Sequence, residues 1–421
     1  MLRTSTLSLV ALFLLAGCGG GGNSGSSIID PANDPTCSSN VIARPQGDNA
    51  SLLAEPGVIV PSSTVARAAD IGYRAHTNHL INASSVGRGT GPTGLTPDQL
   101  RTAYSIPADL GSGAIAIVDA YHYPTALNDF NVFSTEFGLP TESSSDPNGT
   151  SNAVFQVVYA SGSQPTVDTS WSQESAIDTQ WAHAMAPHAK IYLVEAASNS
   201  LADLMAAVNV AKNIVGVKQV SMSFGATEDG CLYVHYNANL TKSGVTFFAA
   251  AGDTSGELDF PSLSKNCVAV GGTRLTLTTG DARLAETAWT KTGGGLSTLE
   301  PRPTFQNVVV DFVQRYRGAA DVSAVGDPAT GVSVYDSTPD GGLSGWITFG
   351  GTSVACPIIA AIVNAADNNW TSSQAFNTNL YNQITTGALF DVKAGKSGAL
   401  SATTGWDFLT GVGSPNGLTG F

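Results

Sequence analysis

Short apolar runs alternate with longer amphipathic segments from about Leu95 to the C-terminus. The apolar runs have the length and composition of buried strands, and the predicted strands cover residues 114–118, 154–159, 190–194, 219–222 and 245–250. The segments between them predict helices at residues 173–185, 201–213 and 232–243, and Leu127, Phe130, Phe133 and Phe137 also recur near helical spacing. Such alternation predicts an α/β fold with right-handed crossovers and a mainly parallel sheet covered on both faces.

The N-terminus is typical of a bacterial lipoprotein leader. Arg3 precedes an apolar run at residues 7–15, which is too short to span a bilayer and has the length of a signal-peptide core. The sequence Leu15-Ala16-Gly17-Cys18 follows and resembles the processing box in which the Cys is lipidated. We therefore expect a lipid anchor on Cys18 at a bacterial membrane or cell surface, followed by a flexible Gly/Ser tether at residues 19–27. An ordinary signal peptide with a chance Cys is the alternative.

The composition of the chain argues against a nucleic-acid partner. The chain has 33 acidic and 19 basic residues, and only 12% of its residues are charged. Binding of nucleic acid needs clustered Lys and Arg, so we expect no nucleic-acid partner. A length of 421 residues with 42% hydrophobic content is enough for one large domain of the size of an enzyme or for two ordinary ones.

Four cysteines follow Cys18, namely Cys37, Cys231, Cys267 and Cys356. In an oxidising compartment an even number favours disulfides, and four cysteines allow three pairings. Cys231 with Cys267 is the preferred pair, because both flank loops on either side of one predicted strand. Neither has the spacing of metal ligands, so no zinc site is expected.

A serine follows two glycines in Gly350-Gly351-Thr352-Ser353, just before a predicted apolar helix at residues 358–366. A hydroxyl group at a helix N-terminus can attack a carbonyl carbon, and the nearby amides can stabilise the oxyanion that forms. Alternatively, Ser353 only caps the helix.

Two acidic residues, Glu174 and Asp178, are four apart on a predicted helix and therefore share one face. If they share a proton, their pKa values separate and one carboxylate can act as a base at low pH. The alternative is a solvated pair of like charges, which the apolar neighbours Trp171, Ile177 and Trp181 disfavour.

A third acidic residue, Asp253, lies in a turn of small residues after the strand at 245–250. Loops at the carboxyl ends of strands line the ligand crevice of an open α/β sheet. Alternatively, Asp253 accepts hydrogen bonds from its own backbone in an ordinary turn.

In this order, the three segments resemble the sedolisins, the serine-carboxyl peptidases with a subtilisin-like fold. The resemblance extends from about Leu95 to the C-terminus and includes Ala116-Ile117-Val118-Asp119-Ala120-Tyr121, Gly293-Gly294-Gly295-Leu296-Ser297 and Ala320-Asp321-Val322-Ser323-Ala324. It implies a subtilisin-like three-layer fold with a mainly parallel central sheet.

The resemblance implies a role for each of four residues. Ser353 is the nucleophile, Glu174 the general base, Asp178 the residue that orients Glu174, and Asp253 the acid of the oxyanion hole. An unperturbed carboxyl group titrates near about 4, so a Glu can accept the serine proton in acid, where a His is already protonated. Asp253 has to stay protonated to donate to the oxyanion, so we expect activity in the acid range.

A subtilisin-type triad of Asp, His and Ser is the alternative mechanism. Asp119 follows a strand, as the Asp of that triad does, but no His-Gly-Thr segment follows it. His183 lies in an Ala-rich helix, where a packed or surface His is expected. Asp119 is therefore interpreted as structural.

Near the C-terminus, Asp391-Val392 and Thr403-Thr404-Gly405-Trp406-Asp407 resemble the sedolisin calcium loop. The resemblance implies one structural Ca²⁺, bound by the side chains of Asp391 and Asp407 and by the carbonyls of Val392, Thr403 and Gly405. Oxygen ligands of this kind suit calcium, although Thr403 stands where the family usually has Gly. An ordinary Asx turn is the alternative.

The predicted organisation has three parts. Residues 1–17 form the lipoprotein signal peptide, residues 18–94 the lipidated N-terminus with a tether and a short pro-like segment, and residues 95–421 the peptidase domain. The pro-like segment is shorter than the prodomain usual in sedolisins. The predicted protein is a monomeric acid endopeptidase acting on protein or peptide substrates. A non-catalytic cell-surface binding module on the same fold is the alternative, and the four filled catalytic positions count against it.

Overall fold

The structure, a computed structural model, describes residues 56–65, 73–87 and 91–421. The predicted signal peptide, the predicted lipidation site Cys18, the predicted tether and Cys37 lie outside the described residues. Within the described ranges, every helix is too short or too polar to cross a bilayer.

An eight-stranded sheet forms the centre of the fold. Its strands are β1 (Ala114–Ala120), β2 (Phe155–Tyr159), β3 (Lys190–Ala196), β4 (Val217–Met222), β5 (Thr246–Ala250), β6 (Val268–Leu277), β7 (Arg283–Ala288) and β8 (Val322–Val325). The spatial order is β7-β6-β5-β4-β1-β3-β2, with β8 also paired to β6. All pairs are parallel except β6 with β7, which confirms the predicted mainly parallel sheet. The strand order reverses beside β1, where an open α/β sheet forms its ligand crevice.

Eight α-helices occur in the described part of the chain. They are α1 (Pro97–Tyr104), α2 (Ala126–Glu136), α3 (Thr169–Met185), α4 (Leu201–Ala211), α5 (Gly230–Tyr236), α6 (Val310–Val313), α7 (Thr352–Ala365) and α8 (Ser373–Tyr381). Side chains alternate along β1, so Ile115 and Ile117 join the core that contains α3 and α7, whereas Ala116 and Val118 join the core that contains α4 and α5. The sheet is thus covered on both faces, as the alternation of strands and helices predicted.

Short strands and 3₁₀ turns complete the structure. The strands are Val58–Ile59, His76–Thr77, Leu80–Asn82, Phe224–Thr227, Asp259–Phe260, Gly295–Pro301, Tyr316–Ala319, Val332–Asp340, Leu343–Gly350, Leu389–Phe390, Lys396–Ser397, Leu400–Ser401 and Ser414–Pro415. The 3₁₀ helices are Ser62–Thr64, Ala83–Ser85, Thr304–Val309 and Pro328–Thr330.

The predicted helix at 232–243 is shorter in the structure, because α5 ends at Tyr236. The backbone carbonyls of Asn237 and Asn239 instead accept hydrogen bonds from the side chains of Asn266 and Lys212. These tertiary contacts hold the residues after α5 in a loop.

The predicted Cys231–Cys267 disulfide is wrong. Cys267 is a free thiol with no exposed surface, and it packs in the same apolar cluster as Phe247 and Leu263. Cys231 is disulfide-bonded, and its partner is not one of the described cysteines. Cys267 directly precedes β6 and is buried in the core. Its position on the other side of one predicted strand from Cys231 therefore did not bring the two sulfur atoms together.

Candidate active site

Ser353 lies in the first turn of α7, directly after the strand Leu343–Gly350. The N-cap residue is Gly351, with a φ of +113°, and no side chain caps the helix, so capping does not explain Ser353. Pro357 has no N–H to bond the Ser353 carbonyl within the helix. That carbonyl accepts from Ser223 Oγ at 3.4 Å, and Ser353 Oγ in turn donates to the Ser223 carbonyl at 3.0 Å.

Glu174 and Asp178 lie on α3, which begins after Asp168, the side chain of which accepts from two backbone N–H groups of the first turn. Every residue of α3 after Thr169 is buried, so the two acids do not form a solvated face. Asp178 Oδ1 accepts from Ser223 Oγ at 2.8 Å. Because Ser223 contacts both Asp178 and Ser353, the structure brings α3 and α7 together at this point.

Asp119, which was interpreted as structural, lies near the end of β1 and belongs to the same buried carboxyl group cluster. Burial, and then the charge of Glu174, raise the pKa of Asp119 well above its usual value. Burial, and then the charges of Asp119 and Glu174, raise the pKa of Asp178 in the same way. Three carboxyl groups that share one dry site cannot all ionise, so the cluster retains protons in acid.

Asp253 follows β5 and faces the N-terminus of α7. Its Oδ1 accepts from the N–H of Thr352 at 2.7 Å and from Thr352 Oγ1 at 2.9 Å. Its Oδ2 is buried and has no partner among the described residues. Burial raises the pKa of Asp253 well above its usual value, so the carboxyl group is protonated in acid and Oδ2–H is available as a donor.

The loop that carries Asp253 is held by close backbone packing. Glu257 Oε2 accepts from the N–H groups of Asp253 and Thr254 at 2.8 and 3.0 Å. A Cβ atom at Gly293, the first residue of the Gly-rich motif, would lie 2.1 Å from the Ala251 carbonyl oxygen. Gly293 therefore lets a second segment pack against the turn that positions Asp253.

Residues 73–82, here called the cleft segment, cross the site between these groups. Residues 73–75 bond the backbone of residues 199–201. His76–Thr77 pairs with Gly225 and Phe224, and Leu80–Asn82 pairs with the strand that leads into α7. The segment thus supplies an edge strand, His76–Thr77, to a three-stranded sheet and an inner strand, Leu80–Asn82, to a four-stranded sheet, and Asn78 lies between these two strands.

The peptide bond after Asn78 lies at the nucleophile. The Asn78 carbonyl oxygen accepts from the Ser353 N–H at 2.9 Å, and the Asn78 N–H donates to Ser353 Oγ at 3.1 Å. A Cβ atom built on Gly351 would lie 2.2 Å from the Asn78 carbonyl oxygen and 2.6 Å from Asp253 Oδ2. The absence of a side chain at Gly351 therefore leaves room for a carbonyl oxygen beside both the Ser353 amide and Asp253.

His79 binds the predicted base. Its Nδ1 is 2.6 Å from Glu174 Oε2, and its Nε2 is 3.3 Å from Gln173 Oε1. The side chains of His79 and Glu174 have no exposed surface. The sequence reasoning missed this contact, because it placed residues before 95 outside the catalytic domain.

The alternative His-based triad finds no support at His183. His183 Nε2 donates to the Pro140 carbonyl at 2.8 Å, and the centroid of its ring lies 4.6 Å from that of Phe130. Burial lowers the pKa of His183 to about 4. His183 is therefore a packed, neutral side chain.

The predicted calcium ligands converge on the loop at residues 403–407. Both Asp391 carboxylate oxygens accept from the Gly405 N–H at 3.1 Å, and Asp407 Oδ2 accepts from the Thr403 N–H at 3.1 Å. Within the described residues, no donor bonds the carbonyls of Val392, Thr403 or Gly405. Asp407 also accepts from the N–H groups of Leu409 and Thr410 and from Thr410 Oγ1, and Lys393 Nζ lies 3.6 Å from Asp391 Oδ2. The two carboxyl groups and the three carbonyls are oxygen donors of the kind that Ca²⁺ takes.

Comparisons with known proteins agree with this architecture. A model of the subtilase family matches residues 115–413. The chain is 32% identical over 368 residues to kumamolisin of Bacillus sp. (strain MN-32), covering 78% of this chain and 63% of kumamolisin. It is 30% identical over 268 residues to sedolisin of Pseudomonas sp. (strain 101), covering 53% of this chain and 43% of sedolisin. The chain therefore spans less than two thirds of the length of each of these curated relatives.

A solved structure adds evidence on the fold. Pseudomonas sedolisin, described as a serine-carboxyl proteinase complexed with two molecules of pseudo-iodotyrostatin, matches with a TM-score of 0.62 at 24% identity. The match covers 77% of this chain and 96% of that one. The resemblance to the sedolisins and the subtilisin-like α/β fold are thereby confirmed.

Proposed function

The chain belongs to the subtilase family, and from the geometry of its cleft we propose that it is a serine-carboxyl endopeptidase that hydrolyses peptide bonds of proteins in acid. One observation carries the proposal: the cleft segment lies across the site as a peptide substrate would, paired on both sides of the Asn78 carbonyl. Backbone pairing of this kind selects an extended chain without requiring a particular sequence. Protein or peptide substrates therefore fit the site.

In the proposed reaction, Ser353 Oγ adds to the carbonyl carbon of the substrate and its proton passes to Glu174. The new C–O bond gives a tetrahedral oxyanion, which the Ser353 N–H and the Asp253 Oδ2–H stabilise. Collapse breaks the C–N bond, and the amine leaves with the proton returned by Glu174. Water then hydrolyses the acyl-enzyme by the same steps, with Glu174 again as base.

Asp178 and Asp119 support the base in this scheme. Both have a pKa raised by burial and by neighbouring carboxylates, so in acid they are neutral donors beside Glu174. A protonated Asp178 can donate to Glu174 and hold its side chain toward Ser353. Because Asp178 and Asp119 are protonated only at low enough pH, this scheme favours activity in the acid range.

Digestion of a denatured protein at acid pH tests the proposal, with wild type compared with Ser353→Ala. The expected result is digestion by wild type only, because alanine removes the attacking oxygen. Equal digestion by both chains, or by neither, would refute the peptidase and favour a binding module on the same fold.

We also propose that Asp391 and Asp407, with the carbonyls of Val392, Thr403 and Gly405, hold one Ca²⁺. Asp407 is 3% exposed, and burial raises its pKa, so its ionised form is costly without a nearby cation. The ion would supply this positive charge and thereby stabilise the loop. Removal of Ca²⁺ with a chelator at neutral pH should lower the melting temperature of wild type by several degrees, about 1 kcal/mol or more. Asp391→Asn should show a smaller shift on chelation, and an equal shift in both chains would contradict the ligand set.

The proposed location is extracytoplasmic, on a lipid anchor attached to Cys18. The support is the apolar run and the Leu-Ala-Gly-Cys sequence at its end. Wild type should fractionate with membranes and Cys18→Ser should not, and identical fractionation of the two would contradict the anchor.

A further inference from the structure

A cut in the cleft segment would divide the chain into two parts that still touch. The proposed reaction attacks the carbonyl that contacts Ser353, which in the intact protein belongs to Asn78. The N-terminal piece ends at Asn78, and the enzyme body begins at the next residue. Hydrogen bonds join the two parts, for example from the Ala75 N–H to the Asn199 carbonyl at 2.8 Å.

A covalent bond also leaves the enzyme body, at Cys231. This residue is disulfide-bonded, whereas Cys267 and Cys356, the other cysteines of the described ranges, are free thiols. The chain has five cysteines, so the partner of Cys231 is Cys18 or Cys37. Both precede the cleft segment. The disulfide therefore joins the enzyme body to the N-terminal piece with either partner.

Cys231 lies close to the cleft. The strand Phe224–Thr227 pairs with His76–Thr77 of the cleft segment, and Cys231 follows that strand by four residues in the first turn of α5. Its side chain is partly exposed. Eighteen residues separate Cys37 from Pro56, the first described residue, and an extended chain of this length spans up to about 60 Å. The length of the chain therefore allows Cys37 to reach Cys231.

We propose that Cys231 pairs with Cys37 and that this disulfide keeps the N-terminal piece on the enzyme body after the cut. The inference rests on the proposed function, which supplies the cut, and Cys18 is set aside because the proposed lipid occupies its sulfur atom. Hydrolysis breaks the C–N bond after Asn78 and adds one water, which leaves a new carboxyl group and a new amine. Formation of the disulfide takes two electrons and two protons from the thiols, and a disulfide of an oxidising compartment accepts them by exchange.

The disulfide decides where the processed enzyme stays. The proposed anchor on Cys18 belongs to the N-terminal piece, so without a covalent link the enzyme body would be held at the membrane by non-covalent contacts alone. Such contacts break and form spontaneously, whereas a disulfide lasts until a reductant attacks it. The processed protein is thus a two-chain enzyme that remains anchored, and reduction of the partly exposed Cys231 bond releases the enzyme body.

Intact mass after acid incubation in detergent tests the bond, with and without a phosphine, which needs no thiolate and so reduces disulfides in acid. Wild type should give one species, heavier than the uncut chain by one water, before reduction and two pieces after it. Cys37→Ser should give two pieces without reduction. Cys267→Ala, which removes a free thiol, is the matched control and should behave as wild type.

Fractionation with membranes measures the consequence. After the cut, the enzyme body of wild type should sediment with membranes until the phosphine is added. The enzyme body of Cys37→Ser should be lost to the supernatant without reductant. Equal sedimentation of the two enzyme bodies after the cut would overturn the role of the disulfide in retention.

The other failures can be told apart, because the disulfide can be mapped without catalysis. Unreduced Ser353→Ala digested with trypsin should yield a peptide containing Cys37 linked to one containing Cys231. Another partner for Cys231, or two separate pieces from unreduced wild type, would overturn the inference and leave the peptidase standing. No digestion of denatured protein by wild type would overturn the peptidase, and retention after the cut with it.

Discussion

In acid, wild type should cut its own chain between Asn78 and His79, whereas Ser353→Ala should stay intact at this bond. The Asn78 carbonyl already accepts from the Ser353 N–H at 2.9 Å, and residues on both sides of it are paired with the walls of the cleft. Holding the reacting groups in this arrangement lowers the entropic part of the activation barrier. Cleavage of this bond is expected in wild type and should be absent from Ser353→Ala, since alanine offers no nucleophile.

One feature favours release of the segment once it is cut. The amide side chain of Asn78 is buried, and neither its oxygen nor its nitrogen has a partner among the described residues, a loss of about 1–3 kcal/mol. His79 occupies Glu174 Oε2 at 2.6 Å, whereas Glu174 Oε1 has no partner among the described residues and can accept the Ser353 proton. The intact segment therefore both presents a substrate and engages the base.

N-terminal sequencing and intact mass after acid incubation measure the cut. A new N-terminus at His79 in wild type and its absence in Ser353→Ala is the expected result. Incubation of Ser353→Ala with a small amount of processed wild type shows whether a second molecule can make the same cut. Cleavage of purified Ser353→Ala alone at this bond, or a stable wild type with no new N-terminus, would contradict the assignment of Asn78 to the site.

Site residues whose relative positions are fixed by their spacing along a helix were predictable from the sequence. Glu174 and Asp178 are one turn apart on a helix, and Ser353 follows glycines at the start of another. Such patterns report geometry within a few residues, which the chain fixes by itself. The alternation of strands and helices likewise predicted the sheet and its helical cover.

Features that depend on distant pairing were not predictable. The cleft segment contacts residues more than a hundred positions away, such as Gly225 and Ser353, and nothing in its own sequence marks it. The same reason explains the wrong Cys231–Cys267 pair and the end of α5. Asp119 was set aside because its motif lacked a His, whereas the packing of α3 against β1 brings it beside Glu174.

Replacement of Asp253 by Ala should lower kcat by about 10²–10³-fold, the usual loss when one oxyanion donor is removed. Asp253→Asn should keep much more of the activity. Its Oδ1 can still accept from the Thr352 N–H, as Asp253 Oδ1 does at 2.7 Å, and its amide N–H₂ replaces the Oδ2–H donor. The pair of variants therefore separates loss of the donor from loss of the acid.

The pH dependence gives the decisive difference between Asp253 and Asn at this position. Burial raises the pKa of Asp253, so the wild-type donor persists in acid and is lost as the pH rises through that raised pKa. The Asn amide does not titrate, so the decline of kcat on the alkaline side that comes from Asp253 should be absent or shifted to higher pH in Asp253→Asn. Profiles of kcat against pH for wild type and both variants measure this. An alkaline decline unchanged in Asp253→Asn, or full activity in Asp253→Ala, would show that Asp253 does not donate to the oxyanion.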